Sequence, residues 1–442
     1  MATNAWDQFE AKVKQIMDEN GIVGAAVAVA RDGETIYSSS FGLRSIEQRL
    51  PVNQDTIFGV ASISKSFTAL AMSQLQDRGL ISLDDPVVRY LPEFRLKGMH
   101  DMSEIKLFHI LSHTTGLVPM TRRPELKTFE EHLEYLRDAD YELLGRPGEY
   151  FSYCNDTFLL NGAVIERVSG MPFRDYVMHN IVNPVGMQRT TLDIDEVKRM
   201  GNYTDLYVKN PETKQPEAKP WVELGRYEVG GGVRSNVPAL VRYGQVYVQA
   251  GQIDGVRIVS ERSLRRMWTP VYRSAPNTYY CLALHATPDY HGVTLVEHGG
   301  GQPGVSSHFG FVPERRITAS VLTNVTNVPA AVIWMGAVNT ALGLPFDTPK
   351  VVHPEVSLQA EQLARYTGRY KSLEGADLRV YLESGRLMLS SQEEQAVLTP
   401  TTHDSFVFTS AGQQRLVKFY SKSPAHKPWA AYLGVRMIRR VE

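Results

Sequence analysis

Strand-like stretches in this chain gather at the two ends of its first 345 residues, and helix-like stretches fill the space between them. Residues 25–30 and 35–40 read as two strands joined at Arg31-Asp32-Gly33-Glu34, an Asp-Gly hairpin signal. Residues 293–296, 308–312 and 317–323 alternate with turn residues and read as further strands. Residues 66–78, 104–112, 157–168, 171–181 and 237–250 have helical texture. A first helix is expected over residues 6–19, where Phe9, Val13, Ile16 and Met17 recur at helical spacing. Strands from both ends with helices between them predict an α+β fold: an antiparallel sheet assembled from the two termini, flanked by helices, plus a helical subdomain. The active site is expected in the crevice between the two parts.

The remaining residues change texture. Pro345, Pro349 and Pro354 punctuate a linker. Beyond it Leu378, Val380 and Leu382 share one face, Ser384-Gly385 turns, and Leu387 and Leu389 return. Phe406 and Phe408 are expected to pair with a strand around residues 416–419, and residues 430–438 close the chain. Short strands at this spacing suggest a small all-β barrel with a filled core. At 442 residues the chain is long enough for two domains. The expected division is a large first domain over 1–345, a linker over 346–354 and a barrel over 355–442. Two further stretches, residues 119–150 and 196–228, read as loops or insertions. The second, with Asn210-Pro211-Glu212-Thr213-Lys214-Gln215-Pro216, reads as mobile and turn-rich.

Chemistry enters at Ser62-Ile63-Ser64-Lys65, where a strand-like stretch gives way to a helical one. A Ser and a Lys three apart at a helix start share a face, one turn apart, so an amine comes within reach of a hydroxyl. A helix-capping serine followed by a solvated lysine would look the same. The motif gains weight from its company. Tyr153-Cys154-Asn155 follows the turn Arg146-Pro147-Gly148-Glu149, and His298-Gly299-Gly300-Gly301 follows the apolar run 293–296. With these three motifs in this order, the chain resembles the serine β-lactamase and penicillin-binding-protein superfamily, in its class C β-lactamase, esterase and D-aminopeptidase branch. The segments Ile110-Leu111-Ser112-His113-Thr114-Thr115-Gly116-Leu117 and Gly230-Gly231-Gly232-Val233-Arg234-Ser235 resemble it too. The resemblance spans roughly residues 5–345. The C-terminal part is loosely similar to the lipocalin-like domain that some cytoplasmic members carry, and the insertions correspond to segments that wall the substrate cleft in the family.

A serine hydroxyl is a poor nucleophile until something takes its proton. Lys65 can take it only when neutral. Its ordinary pKa of about 10.4 must fall by ~3 to operate near pH 7, roughly 4 kcal/mol of environmental bias. Burial and the positive end of a helix starting at Ser62 both push that way, so a buried Lys65 is expected. Tyr153 is the second base candidate, able to relay a proton to the leaving group. Asn155, two residues on, points to the same side of an extended segment, where its amide could reach the substrate and Lys65. Cys154 points away and reads as a small buried residue. His298-Gly299-Gly300 is expected as a strand flanking the cleft, its glycines admitting the substrate backbone. By resemblance the amides of Gly301 and Ser62 form the oxyanion hole, with Gly300 and His298 beside the substrate. Relatives that degrade β-lactams carry Lys where this chain has His298. A histidine with the ordinary pKa of 6.5 is about a quarter charged at pH 7. Carboxylate recognition at that point weakens, which favours esters, amides or peptides read at another group.

Other classes are excluded or unsupported. A formal net charge of −1 gives no footprint for nucleic acid or an anionic membrane. No apolar run approaches the ~20 residues of a spanning helix, and residues 1–10 lack a secretory signal pattern. Two cysteines, Cys154 and Cys281, suit a reducing compartment. No metal site is expected: His109 and His113 lack a completing ligand set, and His113 reads as structural. No cofactor is expected either, since Gly230-Gly231-Gly232 lacks the residues of a phosphate loop. The expectation is a cytoplasmic serine hydrolase that forms an acyl-enzyme at Ser62 and hydrolyses small peptides or amides, D-amino-acid-containing ones favoured, or esters. The alternatives are a carboxylesterase of the β-lactamase-like type and a penicillin-binding protein acylated with little turnover. Its partners are small-molecule, peptide or ester substrates and, as a possibility the sequence leaves open, further copies of the chain. With every motif before Pro345, the C-terminal domain is expected to be dispensable for acyl chemistry.

Overall fold

The computed structural model describes residues 5–391, 395–410, 413–423 and 426–441. Residues 1–4, part of the stretch read as lacking a signal, lie outside that range. The chain forms two compact units: residues 1–85, 161–271 and 278–350 make the first, and residues 86–160, 272–277 and 351–442 the second.

The first unit is built on an antiparallel sheet. Its main strands are β1 (Gly24–Arg31), β2 (Glu34–Ser45), β3 (Thr278–Tyr280), β4 (His285–Tyr290), β5 (Val293–Gln302), β6 (Val305–Val312) and β7 (Ile317–Thr323), in the spatial order β3-β4-β5-β6-β7-β1-β2. The two ends of this part of the chain meet at the β7–β1 pair, where Val27 lies opposite Val321. Two-sided burial explains the composition of β1, Gly-Ala-Ala-Val-Ala-Val-Ala-Arg, in which seven of eight residues are buried. Ala25, Val27 and Val29 face one core, and the small Ala26, Ala28 and Ala30 leave room on the other face. The β1–β2 turn has Asp32 at φ 54° and Gly33 at φ 90°, as a tight hairpin with two left-handed central residues requires.

Helices cover both faces. On one side α1 (Ala5–Asn20) inserts Phe9, Val13 and Met17, one turn apart, into a core with Ile317, Val321 and Trp334. The Ser62 segment leads into α2 (Ser64–Asp77), which is buried along most of its length. On the sheet's other side α3 (Val237–Val248) packs on β1, β6 and β7. Its Gln245 amide donates to Thr318 Oγ1 at 3.0 Å. The C-terminal helix of this unit, α4 (Ala330–Leu342), buries Trp334, whose indole N–H donates to the Ala319 carbonyl at 3.1 Å. The segment 196–228, read as a turn-rich insertion, contains a helix (Ile194–Met200) running into it and a strand pair, Leu206–Lys209 with Pro216–Lys219. Asn210-Pro211-Glu212-Thr213-Lys214-Gln215 is the loop of that hairpin, tied by Asn210 Oδ1 accepting from Glu212 and Thr213 N–H.

The second unit joins a helical segment to a closed barrel. In the helical part, Phe129–Asp138 starts at a reciprocal cap: Thr128 Oγ1 accepts from Glu131 N–H at 3.1 Å, and Glu131 Oε2 accepts from Thr128 N–H at 2.9 Å. The barrel strands are β8 (Gly368–Lys371), β9 (Asp377–Glu383), β10 (Arg386–Ser390), β11 (Gln395–Pro400), β12 (Ser405–Ser410), β13 (Gln413–Tyr420), β14 (Ala430–Leu433) and β15 (Arg436–Arg440). They pair in sequence order and close where Tyr370 of β8 meets Arg440 of β15. The interior is filled by side chains, among them Tyr366, Tyr370, Leu389, Phe406, Phe419 and Ile438. Eight strands enclose space enough for such packing, and here aromatic rings occupy it. Among the described residues no helix is long and apolar enough to cross a membrane.

Phe9 is 1% exposed. Phe9→Ala therefore removes a ring from the closed α1–sheet core and should destabilise the protein by about 3–5 kcal/mol, read from the shift of the denaturant midpoint at unchanged slope.

Candidate active site

In the first unit Ser62 sits in a single 3₁₀ turn, Ala61–Ile63, and α2 begins only at Ser64. The helix thus starts two residues after Ser62, where the motif places its positive end, and two before residue 66, where the helical texture begins. Ala61 holds φ 47°, a left-handed conformation that costs a non-glycine residue on the order of 1–3 kcal/mol. Strain of this kind, immediately before the candidate nucleophile, aims Ser62 while Lys65 turns inward. Lys65 is 1% exposed, the burial that the chemistry demands, whereas Ser62 keeps partial exposure. Lys65 Nζ donates to Ser62 Oγ at 3.3 Å and to the Gly230 carbonyl at 2.9 Å. Two more bonds fasten the Gly230 segment across α2. Thr68 Oγ1 donates to the Val229 carbonyl at 2.6 Å, and Ser64 Oγ accepts from Val233 N–H at 3.0 Å. Gly230 needs its lack of a side chain, because a Cβ there would lie 2.7 Å from Lys65 Nζ.

The third motif lies on β5, which joins the strand read at 293–296 to the one expected at His298-Gly299-Gly300 and runs on to Gln302. Gly300 answers a different need from the one expected. A Cβ there would overlap Ser307 Oγ and the Val60 carbonyl, so the glycine admits the protein's own backbone just before Ser62. Gly301 faces open space. His298 is not the partly charged group that its ordinary pKa implied. Burial, with the nearby His285 and Lys65, pushes its pKa down to about 3. Its Nδ1 lies 2.6 Å from the Gly299 carbonyl, which can only accept, so Nδ1 carries the proton. Nε2 then accepts from the Tyr280 hydroxyl at 3.2 Å. His298 is a neutral, oriented imidazole at pH 7.

Its neighbour Glu297 points the other way, into a buried charge cluster. Burial raises its pKa, but Lys350 and His308 outweigh that and hold it well below the carboxylate range. Lys350 Nζ and His308 Nε2 each stand 2.6 Å from its carboxylate. The expected linker therefore begins with a clasp on the back of the strand that carries His298.

In the second unit Tyr153 is 6% exposed and stacks on His113, with ring centroids 4.0 Å apart. His113 Nδ1 accepts from Cys154 N–H at 3.1 Å, a structural role as expected. Cys154 is buried, which pushes its thiol up to about 12, so it stays protonated. Asn155 opens the short helix Asn155–Phe158 and is partly exposed. The stretch before it lies along the β14–β15 hairpin of the barrel. Tyr153 N–H donates to the Val435 carbonyl at 2.8 Å, and Met437 N–H donates to Ser152 Oγ at 3.1 Å.

Thus Ser62, Lys65, His298, Gly300 and Gly301 belong to the first unit, and Tyr153 and Asn155 to the second. Sequence reasoning missed the Gly230 carbonyl, although the glycine triplet was visible, and missed Tyr280, which has no motif. It also missed Trp221, which packs with Ala61, Leu206 and Val305 beside Ser62.

Comparison with known proteins places this architecture. A model of the β-lactamase family matches residues 9–341, and the chain belongs to that family. Penicillin-binding protein 4* of Bacillus subtilis (strain 168) is 25% identical over 399 residues, covering 85% of each chain. A D-aminopeptidase of Gluconobacter oxydans (strain 621H) is 26% identical, over 84% of this chain and 72% of its own. Among solved structures, the octameric penicillin-binding protein homologue from Pyrococcus abyssi aligns at a TM-score of 0.73 with 26% identity, over 98% of this chain and 99% of that one.

Gly230→Ala should lower kcat about a hundredfold by displacing Lys65 Nζ, with little change in thermal stability; p-nitrophenyl acetate turnover and a melting curve read the two effects. Acid should also unfold the first unit early. His298 and His285, held down to about 3 and about 4 mainly by burial, refuse protons that the unfolded chain accepts below its ordinary 6.5. Stability is complete above pH 6.5 and falls as pH drops toward 4, by up to about 1.4 kcal/mol per pH unit for each histidine. His285→Gln should flatten that slope in melts run across this range.

Proposed function

We propose that this chain is a serine hydrolase that forms an acyl-enzyme at Ser62. The observation carrying the reading is the dry Lys65 amine, 3.3 Å from Ser62 Oγ and held on the Gly230 carbonyl. Ser62 Oγ attacks the substrate carbonyl carbon and its proton passes to neutral Lys65 Nζ. The oxyanion is received by the N–H groups of Ser62 and Gly301. Tyr153 returns a proton to the leaving group, which departs as the C–O or C–N bond breaks. Asn155 orients the substrate, and water then releases the acyl group from Ser62.

Small peptides and amides are the favoured substrates, with D-amino-acid-containing ones first. That preference draws on the D-aminopeptidase relative, which matches across 84% of this chain. Esters come next. A neutral His298 supplies no cation for the carboxylate of a β-lactam, which argues against β-lactamase activity. The long match to penicillin-binding protein 4* keeps a second reading alive, acylation with slow release. The octameric homologue supports a homo-oligomer. The domain division proposed is 1–345, linker 346–354 and barrel 355–442.

Ser62→Ala should lower kcat by several orders of magnitude with the fold intact, because the covalent route is lost and no core volume is removed. Turnover of p-nitrophenyl acetate and fluorophosphonate labelling measure it; a variant retaining a tenth of the rate sinks the assignment. In the unaltered protein, release beyond one equivalent of p-nitrophenol marks a hydrolase, and a single burst marks the slow-releasing binder.

A further inference from the structure

A short apolar segment of the first unit lies beside Ser62 and belongs to none of the three motifs. Trp221, Val222 and Leu224 follow the strand pair of the 196–228 insertion. Val222 is 55% exposed, and Trp221 and Leu224 keep partial exposure. Apolar side chains left open together on one loop are what a ligand groove presents. The indole is fixed in place. Its Nε1–H donates to the Thr204 carbonyl at 2.8 Å, Tyr203 meets it edge-on with centroids 6.5 Å apart, and Arg234 Cζ stands 5.9 Å from its centre. Arg234 is 3% exposed and donates to the Leu192 and Gly232 carbonyls, so this cation supports the ring from inside, out of a ligand's reach.

The indole also reaches the reaction centre. It packs on Ala61, the residue before Ser62, and its Cη2 lies 3.8 Å from where a Gly59 Cβ would stand. The Gln302 amide meets it there. Its Nε2 is 3.2 Å from the same point, and its Oε1 is 3.6 Å from the corresponding point at Gly231, which Leu224 Cδ1 approaches to 3.5 Å. Gln302 follows Gly301, whose N–H the hydrolase reading gives to the oxyanion. Among the described residues the partly exposed Gln302 amide has no hydrogen-bond partner, so a group that both donates and accepts is free beside Ser62.

We propose that Trp221 and Gln302 form an acyl-side subsite for apolar, amino-acid-derived acyl groups. The acyl side chain lies against Trp221 and Leu224, and the α-nitrogen hydrogen-bonds to the Gln302 amide. The proposal rests on the serine hydrolase reading and deepens it. A leaving group must collect a proton, so it departs toward a group that titrates. The side chains on this wall are apolar or amide and do not titrate. Glu223, between them in sequence, is turned to Arg174 at 3.1 Å. The wall therefore suits the part of the substrate that needs shape and no proton, which is the acyl group. An aromatic ring supplies area and a flat face for a large apolar side chain, and a neutral amide can meet an amine or an amide on the α-carbon. The substrates this selects carry a large apolar or aromatic residue on the acyl side of the scissile bond.

The test holds the leaving group constant and varies the acyl group. The substrates are p-nitrophenyl acetate, 3-phenylpropionate and N-acetylphenylalaninate, each rate taken relative to spontaneous hydrolysis. The unaltered full-length protein should prefer 3-phenylpropionate to acetate by at least about tenfold in kcat/KM, and N-acetylphenylalaninate by a further several-fold. Trp221→Ala should bring the first ratio near one, mainly through the KM for 3-phenylpropionate, and Trp221→Phe should fall between. Leu224→Ala, which leaves the packing on Ala61 in place, should reduce the same ratio about threefold. Gln302→Leu should remove the second preference and keep the first. An unaltered protein without these preferences overturns the proposal. So does a loss in Trp221→Ala that strikes all three esters alike through kcat, which would mark the ring as a support for the Ser62 turn. A Gln302→Leu variant that keeps the second preference overturns the role given to Gln302. In each failure, Ser62-dependent turnover of p-nitrophenyl acetate leaves the hydrolase reading standing; loss of Ser62 dependence removes both.

Discussion

A buried amine beside a partly exposed hydroxyl is the arrangement on which the first unit depends. Charged lysine strongly resists burial, and Lys65 is 1% exposed. The surrounding structure meets that demand in three ways. α2 is buried along most of its length, the Gly230 segment is fastened across it, and the Gly230 carbonyl accepts directly from Nζ. The glycine at 230 and the glycine at 300 serve one end: each lets a backbone approach the Ser62–Lys65 turn more closely than any side chain would permit. The left-handed Ala61 belongs to the same device. Close backbone approach at both sides and a strained turn at the centre hold a buried amine next to a partly exposed hydroxyl.

The histidine on β5 shows how environment overrides residue type. Its ordinary pKa makes histidine a half-charged switch, but burial against Tyr280 and His285 fixes it as a neutral ring with an assigned tautomer. Such a group orients and accepts; it does not attract anions. Glu297, the next residue along, is equally buried yet stays charged because Lys350 and His308 face it. Alternation along one strand separates a neutral site-facing side from a charged, clasped back.

In the second unit the Tyr153 motif is held by parts distant in sequence. His113 stacks beneath the ring and orders the Cys154 backbone, while the barrel hairpin supplies Val435 and Arg436. The hairpin turns through only Gly434 and Val435, which brings Val435 and Arg436 to the Tyr153 segment.

Much of this protein was legible in its residues alone, because local rules decide local structure. Asp32-Gly33 specified a hairpin, turn residues between apolar runs located the strands at both ends, residues 317–323 were bounded correctly, and the barrel strands followed from their turn spacing. Three ordered motifs named the candidate site residues. What remained hidden were contacts between residues far apart along the chain: Lys65 with Gly230, His298 with Tyr280, Glu297 with Lys350, Tyr153 with Val435 and Arg436. No spacing rule encodes such pairs. Whether a histidine is charged or a lysine dry is set by burial and by partners brought together only on folding, so the sequence named the candidate groups and the tertiary structure decided their surroundings.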